Sequence, residues 1–333
     1  GGYVGLDEVN IPDLNFSLPT PADFPNATLW VDSQDAATIV SDVSGNLTTW
    51  ENKMDSSVKL HSAASGPTTN ATLLGFPAID FDHGEYVNAQ KNGSTNWSAL
   101  SVDGAVSGQY LDASIFIVFQ VDTKGMTNWP FGANWGGHFP WNNGSIFHDT
   151  PTRISFKLTN GGEPMLFSAY YSNTDQVREF HKNGTVLKSA NNVTITNAGL
   201  FKFPNSPWHQ GDYTVGEIIV IKDTITKDLR QQLEGYLAQK WKLTSELPSQ
   251  HPYLSVFPNL MIRDNEQKEI TNFIVEKSDD NSSLRIRFTP DKSPNKFTVS
   301  VNSGLGIDSN DMLNKPTSFS FAYGRPITRL DAL

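Results

Sequence analysis

The feature that most constrains this chain is a long series of short apolar or alternating runs, each closed by Gly, Asn, Asp or Ser. Ser114-Ile115-Phe116-Ile117-Val118-Phe119-Gln120-Val121 and Tyr213-Thr214-Val215-Gly216-Glu217-Ile218-Ile219-Val220-Ile221 are nearly continuous apolar text. Arg153-Ile154-Ser155-Phe156-Lys157-Leu158 and Met165-Leu166-Phe167-Ser168-Ala169-Tyr170-Tyr171 are of the same kind. Their lengths and their content of β-branched and aromatic residues suit strands, and strands in such number must bury their faces against one another. Lys182-Asn183-Gly184-Thr185 is the signal for a tight two-residue hairpin. The expected class is all-β, a sandwich.

One segment breaks the pattern. Leu229, Leu233, Tyr236, Leu237 and Trp241 recur on a single helical face, with Thr226 as N-cap and Asp228 in the first turn. Pro248 and Pro252 bar continuation, so one short helix is expected, packed on the sandwich. After Pro258, Leu284–Phe288, Lys296–Val301 and Thr317–Tyr323 alternate cleanly and read as a second, smaller β region. The expected organisation is an extended, Pro-rich arm over 1–25, a large domain over 26–257 and a small β domain over 258–333.

Hydrophobic residues at 38% and aromatics at 11% are enough for a large core, which excludes wholesale disorder. A net charge of −10 without clustered Lys and Arg excludes nucleic acid as a partner. No apolar run approaches a membrane span. Cysteine is absent, which removes thiolate metal sites and cysteine nucleophiles. The chain opens Gly1-Gly2-Tyr3 and ends Leu330-Asp331-Ala332-Leu333 without a clear stop, so a processed product of a longer precursor is expected. Asn-X-Ser/Thr sequons stand at Asn15, Asn26, Asn46, Asn70, Asn92, Asn96, Asn143, Asn183, Asn192 and Asn281, which suits a decorated glycoprotein outside the cell or on its surface.

Two segments carry a family resemblance. Leu29-Trp30-Val31-Asp32-Ser33-Gln34-Asp35, continuing through Gly45-Asn46-Leu47-Thr48-Thr49-Trp50-Glu51-Asn52-Lys53, resembles the opening of bacterial laminin-G-like modules of the concanavalin-A superfamily. Val215-Gly216-Glu217-Ile218-Ile219-Val220, Leu233-Glu234-Gly235-Tyr236-Leu237-Ala238-Gln239-Lys240-Trp241 and His251-Pro252-Tyr253 resemble their ending. Pro77–Asp82 and the His138-Phe139-Pro140-Trp141 hairpin resemble segments between. The resemblance spans about two-thirds of the chain in order and implies a concanavalin-A-like jelly roll of two sheets. More weakly, Ile270–Phe273, Phe288-Thr289-Pro290, Phe297–Val301 and Ile307–Asn310 resemble a bacterial Ig-like module that lacks its opening strands.

Candidate chemistry is sparse. Glycanases on this scaffold use carboxylates spaced Glu-x-Asp-x-x-Glu along one strand, and the nearest match, Asp264–Glu269, has polar residues throughout and reads as a solvated turn. The histidines form neither His-x-His nor His-Glu-x-x-His, and neither a Gly-x-Ser-x-Gly elbow nor a phosphate loop occurs. The chain is therefore expected not to be an enzyme. The stretch 128–149 offers flat aromatic faces and amide or carboxylate groups, the pairing that sugars need, and its candidate ligand residues are Trp129, Trp135, His138, Trp141, Asn142 and Asp149. The competing reading is that these aromatics fill the core. Calcium is the one cofactor the sequence suggests, through the oxygen-rich groups Asp32 with Asp35, Asp80 with Asp82, and above all Asp308, Asn310 and Asp311. Ordinary turns also use such groups.

These readings lead to an extracellular or cell-surface binding and adhesion protein whose partner is a glycan or a cell-surface protein. The alternative is a structural subunit of a filament, sheath or surface layer that polymerises with copies of itself, the arm adding a strand to the incomplete tail module. A glycan-degrading enzyme is the third reading.

Overall fold

The computed structural model describes residues 20–24, 26–62, 66–82, 84–93, 97, 112–122, 139, 143–148, 153–158, 162–172, 174–192, 202–203 and 212–253, and beyond these the strand residues 260–263, 273–277, 284–288, 296–301, 306–308, 311–312 and 317–322. Internal contacts separate Pro21–His251 from a unit that includes Pro252–Leu333.

The larger unit runs β1 (Ala27–Asp32), β2 (Ile39–Ser41), β3 (Leu47–Glu51), β4 (Val58–Ser62), β5 (Thr68–Leu73), β6 (Phe76–Phe81), β7 (Val87–Lys91) and β8 (Ala113–Val121). It continues β9 (Ser145–His148), β10 (Ile154–Lys157), β11 (Met165–Ser172), β12 (Val177–Lys182), β13 (Thr185–Asn191), β14 (Lys202–Phe203), β15 (Tyr213–Ile221) and α1 (Lys227–Lys240). An eight-stranded antiparallel sheet has the order β13-β12-β11-β8-β15-β6-β5, with β1 pairing the C-terminal half of β15 beside β6. A five-stranded sheet has the order β14-β7-β4-β3-β2, and β9 pairs β10. The all-β sandwich with one packed helix is what the strand-like runs predicted.

The two sheets share one core. Leu29, Ile79, Phe81, Ile115, Ile117, Phe119, Phe167, Phe180 and Tyr213 of the large sheet meet Trp50, Val58, Leu60, Val87 and Ala89 of the small one. Alternation sends every second residue of the large sheet to its other face. There Phe116, Val118, Leu166, Ile219 and Ile221 are also buried, outside the inter-sheet cluster. They lie on the helix side, with Leu233, Leu237 and Ala238 of α1 and its C-cap Trp241 fully covered. This second layer explains why β8 and β15 are nearly continuous apolar runs: a strand covered on both faces has no polar side to alternate with. Burying Leu233, Leu237 and Trp241 contributes about 2 kcal/mol each.

Local chemistry sets the ends of these elements. The Thr226 side chain accepts from the Leu229 N–H and caps α1. Asn183 and Gly184 adopt positive φ, +48° and +74°, the backbone of a two-residue turn between β12 and β13. A β-bulge at Gly216 resets β15, so that Tyr213 and Val215 face the inter-sheet core before it, and Ile218 and Val220 after it. The bulge turns Glu217 toward the helix.

In the second unit, Leu260–Arg263, Lys296–Val301 and Thr317–Ala322 form a three-stranded antiparallel sheet with Lys296–Val301 in the centre. Phe273–Lys277 pairs Leu284–Phe288, and Gly306–Asp308 pairs Asp311–Met312. The unit is all-β. Among the described residues of the chain, no helix is long and apolar enough to cross a membrane.

Candidate functional site

Polar residues from both resemblance segments, Trp30 and Asp32 from the first and Glu217, Tyr236 and Lys240 from the second, come together at the seam between α1 and the large sheet. Glu217 is fully buried and accepts from four donors. Trp30 Nε1 and the Tyr236 hydroxyl donate to its Oε1 at 2.8 and 3.2 Å. Lys240 Nζ and Trp241 Nε1 donate to its Oε2 at 2.6 and 2.8 Å. Indole and ammonium can only donate, so both carboxylate oxygens are fully engaged. Burial pushes the Glu217 carboxyl above its ordinary range, Lys240 offsets part of that, and the nearby Asp32 charge adds to it. Lys240 Nζ also reaches Asp32 Oδ2 at 2.7 Å, and Lys53 joins Asp32 to Asp35 at 3.4 and 2.7 Å. Lys240 and Lys53 thus bridge the carboxylates of Glu217, Asp32 and Asp35.

A second buried node lies on the same seam. Glu234 of α1 is fully buried and accepts from Arg230 Nη1 at 2.5 Å and the Ser168 hydroxyl at 3.3 Å, with His251 Nε2 3.2 Å from its other oxygen. Arg230 Nη1 lies 3.3 Å from His181 Nδ1, whose Nε2 is 2.7 Å from Glu179. Burial would raise the Glu234 carboxyl, but the His251 hydrogen bond and the Arg230 charge outweigh it and hold it below its ordinary value. These motif residues are a closed ionic lock of helix on sheet.

Oxygen-rich geometry appears at the far ends of the central strands. Asp80 of β6, Asp122 after β8 and Asp212 before β15 each bring one carboxylate oxygen within 4.8 Å of the others. In register, Thr214 faces Asp80 on one side and Gln120 on the other. Thr214 Oγ1 and Gln120 Nε2 donate to Asp122 at 2.8 and 3.0 Å, and the Asp122 N–H donates to the Asp212 carbonyl at 2.9 Å. Hard oxygen donors of this kind suit calcium or magnesium rather than zinc. Burial, then the charges of Asp82, Asp122 and Asp212, push Asp80 up to about 6. Of the sequence's oxygen-rich pairs, Asp80 is therefore brought to a cluster, with partners that lie far off in the chain.

Asp80 makes a pH prediction. Its folded value lies above the ordinary 3.8, so ionising it opposes folding, and its contribution is most favourable below pH 4 and lost as pH rises through about 6. In chelator-treated protein, Asp80→Asn should match wild type near pH 4 and exceed it by about 1 kcal/mol at pH 7.5, the full shift being discounted for solvent screening. Urea unfolding at both pH values measures this. A variant less stable than wild type at pH 7.5 would contradict the reading.

The proposed sugar residues Trp129, Trp135, His138, Trp141, Asn142 and Asp149 lie outside the described residues, as do Asn310 and the 264–269 segment. Asp308 and Asp311 are paired across a short antiparallel ladder. Two aromatics of the 128–149 stretch are described. Phe139 is fully buried, its ring 4.8 Å from Phe167 and 5.7 Å from Phe119, and its carbonyl accepts from the Tyr213 hydroxyl at 2.8 Å. For Phe139 the core reading holds. Phe147 carries the Arg153 guanidinium over its ring at 5.1 Å.

Among the sequons, Asn26, Asn70, Asn92, Asn143 and Asn192 are exposed and Asn46 is partly so, while Asn15, Asn96 and Asn281 lie outside the described residues. Asn183 departs from expectation. It is 6% exposed, and its Oδ1 accepts from the Leu166 N–H at 2.8 Å, so this side chain serves the β12–β13 turn and leaves no room for a glycan.

No protein-family model matches the chain, and no curated protein matches it. Solved structures similar to it include Trypanosoma rangeli sialidase in complex with sialic acid, at 11% identity and TM-score 0.43, over 67% of this chain and 34% of that one. The chain thus spans about a third of that protein. The binding domain of Paraclostridial Mosquitocidal Protein 1 matches at 10% identity and TM-score 0.45, over 92% of this chain and 69% of that one. The binding domain of Botulinum Neurotoxin DC in complex with SialylT matches at 7% identity and TM-score 0.41, over 85% and 72%. The presence of sialidases among these structures overturns the expectation that this chain is no enzyme. At such scores the likeness assigns it no activity, and the β-sandwich rests on the strand pairing itself.

Proposed function

We propose that this chain is an extracellular, lectin-like binding protein that recognises glycans through the loops of its β-sandwich. The observation that carries the reading is how the framework uses its polar groups. Glu217, Glu234, Asp32, Lys240 and Arg230 are consumed by the helix–sheet seam, and the sandwich is closed by apolar side chains on both faces of its central strands. A scaffold that spends its own ionisable residues on rigidity leaves recognition to other segments, and in the sequence aromatic and amide residues are concentrated in the 128–149 stretch. Phe139 ties that stretch to the core beside Tyr213. Calcium would be the accompanying ion, and five exposed sequons suit a surface that meets glycosylating enzymes.

The test is an array of sialylated and neutral oligosaccharides probed with the full chain, in millimolar calcium and again in chelator. Binding to a defined sugar class, lost in Trp129→Ala and Trp141→Ala variants that retain wild-type thermal unfolding, is the expected result. Absence of binding across the array in both conditions would remove the reading.

A further inference from the structure

The seam places a lysine ammonium between two carboxyl groups, one of them fully buried. Lys240 Nζ lies 2.7 Å from Asp32 Oδ2 and 2.6 Å from Glu217 Oε2, while Asp32 is 4% exposed and Glu217 fully covered. Every other group facing them holds this geometry. Trp30 and Trp241 fix Glu217 from both sides, and the Tyr236 hydroxyl lies 3.4 Å from Lys240 Nζ. The Gln34 N–H donates to Asp32 Oδ1 at 3.0 Å, and Lys53 Nζ stands further off, 3.4 Å from Asp32 Oδ2, with its shorter contact to Asp35.

We propose that Lys240 and Asp32 condense into an intramolecular isopeptide bond, with Glu217 carrying the proton between them. Glu217 takes a proton from the Lys240 ammonium, and the neutral amine attacks Cγ of Asp32. The Cγ–Oδ2 bond breaks, and that oxygen departs as water with two of the three ammonium protons, one of them returned by Glu217. The third proton stays on the amide nitrogen. No oxidant or co-reactant is needed, and one positive and one negative charge vanish together.

Physical reasons favour the reaction here. Amide formation from an ammonium and a carboxylate is unfavourable in water because both ions are well solvated. At this seam much of that solvation is already lost, the side chains of Asp32 and Lys240 being 6% and 18% exposed, and condensation removes two poorly solvated charges whose burial carries a desolvation cost. Held contact replaces a bimolecular encounter, an advantage of about 10⁵ M or more in effective concentration when reactants are well oriented. The upward push of burial on Glu217 also suits a carboxyl that must accept and release a proton. The bond would join the end of β1 to the last residue of α1, linking residues 208 apart in a chain without cysteine.

The experiment is the intact mass of the full chain, purified from a host that does not glycosylate asparagine and denatured before measurement. The expected mass is lower than the sequence mass by one water in most molecules, and tandem spectra of a digest show one branched peptide joining Asp32 to Lys240. Lys240→Arg keeps the positive charge but cannot condense, and should appear at its full sequence mass with wild-type circular dichroism. A wild-type chain at full sequence mass, with the Lys240 peptide recovered unbranched, overturns the proposal without reference to any variant. Water loss that persists in Lys240→Arg, or maps to other residues, overturns it as well.

Discussion

Replacing Glu217 with alanine is expected to destabilise the Pro21–His251 unit by about 4 kcal/mol, the scale for removing one partner of a fully buried ionic group. The substitution leaves Lys240 Nζ without its shorter contact and strands the indole N–H groups of Trp30 and Trp241. Each orphaned buried donor costs about 1–3 kcal/mol, and relaxation of Lys240 toward Asp32 recovers part of the total. Glu217→Gln should cost less than alanine but still more than about 2 kcal/mol, because its amide presents one donor to a ring of donors. Chemical unfolding followed by tryptophan fluorescence measures both. A loss under about 1 kcal/mol for Glu217→Ala would mean that the seam is wetter than its burial indicates.

Trp241→Ala should cost a similar amount, about 4 kcal/mol, for a different reason. Its ring is fully buried, packs edge-on to Phe76 at 5.7 Å, and fills the space opposite Gly216. A Cβ placed on Gly216 would stand 2.5 Å from the Trp241 ring. Gly216→Ala is therefore expected to cost about 2 kcal/mol alone, through displacement of the indole. Removing the indole removes the three atoms nearest to that methyl. The double variant should then be no less stable than Trp241→Ala, an interaction that a double-mutant cycle reads directly. Simple additivity of the two losses would show that Gly216 is needed for its bulge and not for contact.

Much of this architecture was legible because it depends on local periodicity. The boundaries of β15, of Leu284–Phe288 and of Lys296–Val301 match the apolar or alternating runs residue for residue. Helix α1 was readable from Leu233, Leu237 and Trp241 at helical spacing and from its Thr226 cap. The acidic cluster was not. Asp80 stood out only beside Asp82, whereas its spatial neighbours Asp122 and Asp212 lie at the ends of other strands, and no sequence spacing encodes their meeting. Asn183 misled for the opposite reason: the tripeptide is a local signal, but burial of its side chain depends on how β11 and β12 pair.

The polar residues of the two resemblance segments show the same division. Trp30, Asp32, Glu217, Glu234, Tyr236 and Lys240 could be picked out by their order along the chain, and the strands and helix that bear them follow from hydrophobic pattern. Their roles could not. Only the crossing of β1, β15 and α1 sets the Asp32, Glu217 and Lys240 heads within hydrogen-bond reach, because a charge becomes lock, ligand or reactant according to what excludes water around it. Pattern settles which face of an element is buried; the tertiary packing of elements distant in sequence decides which buried polar groups meet, and hence what they can do.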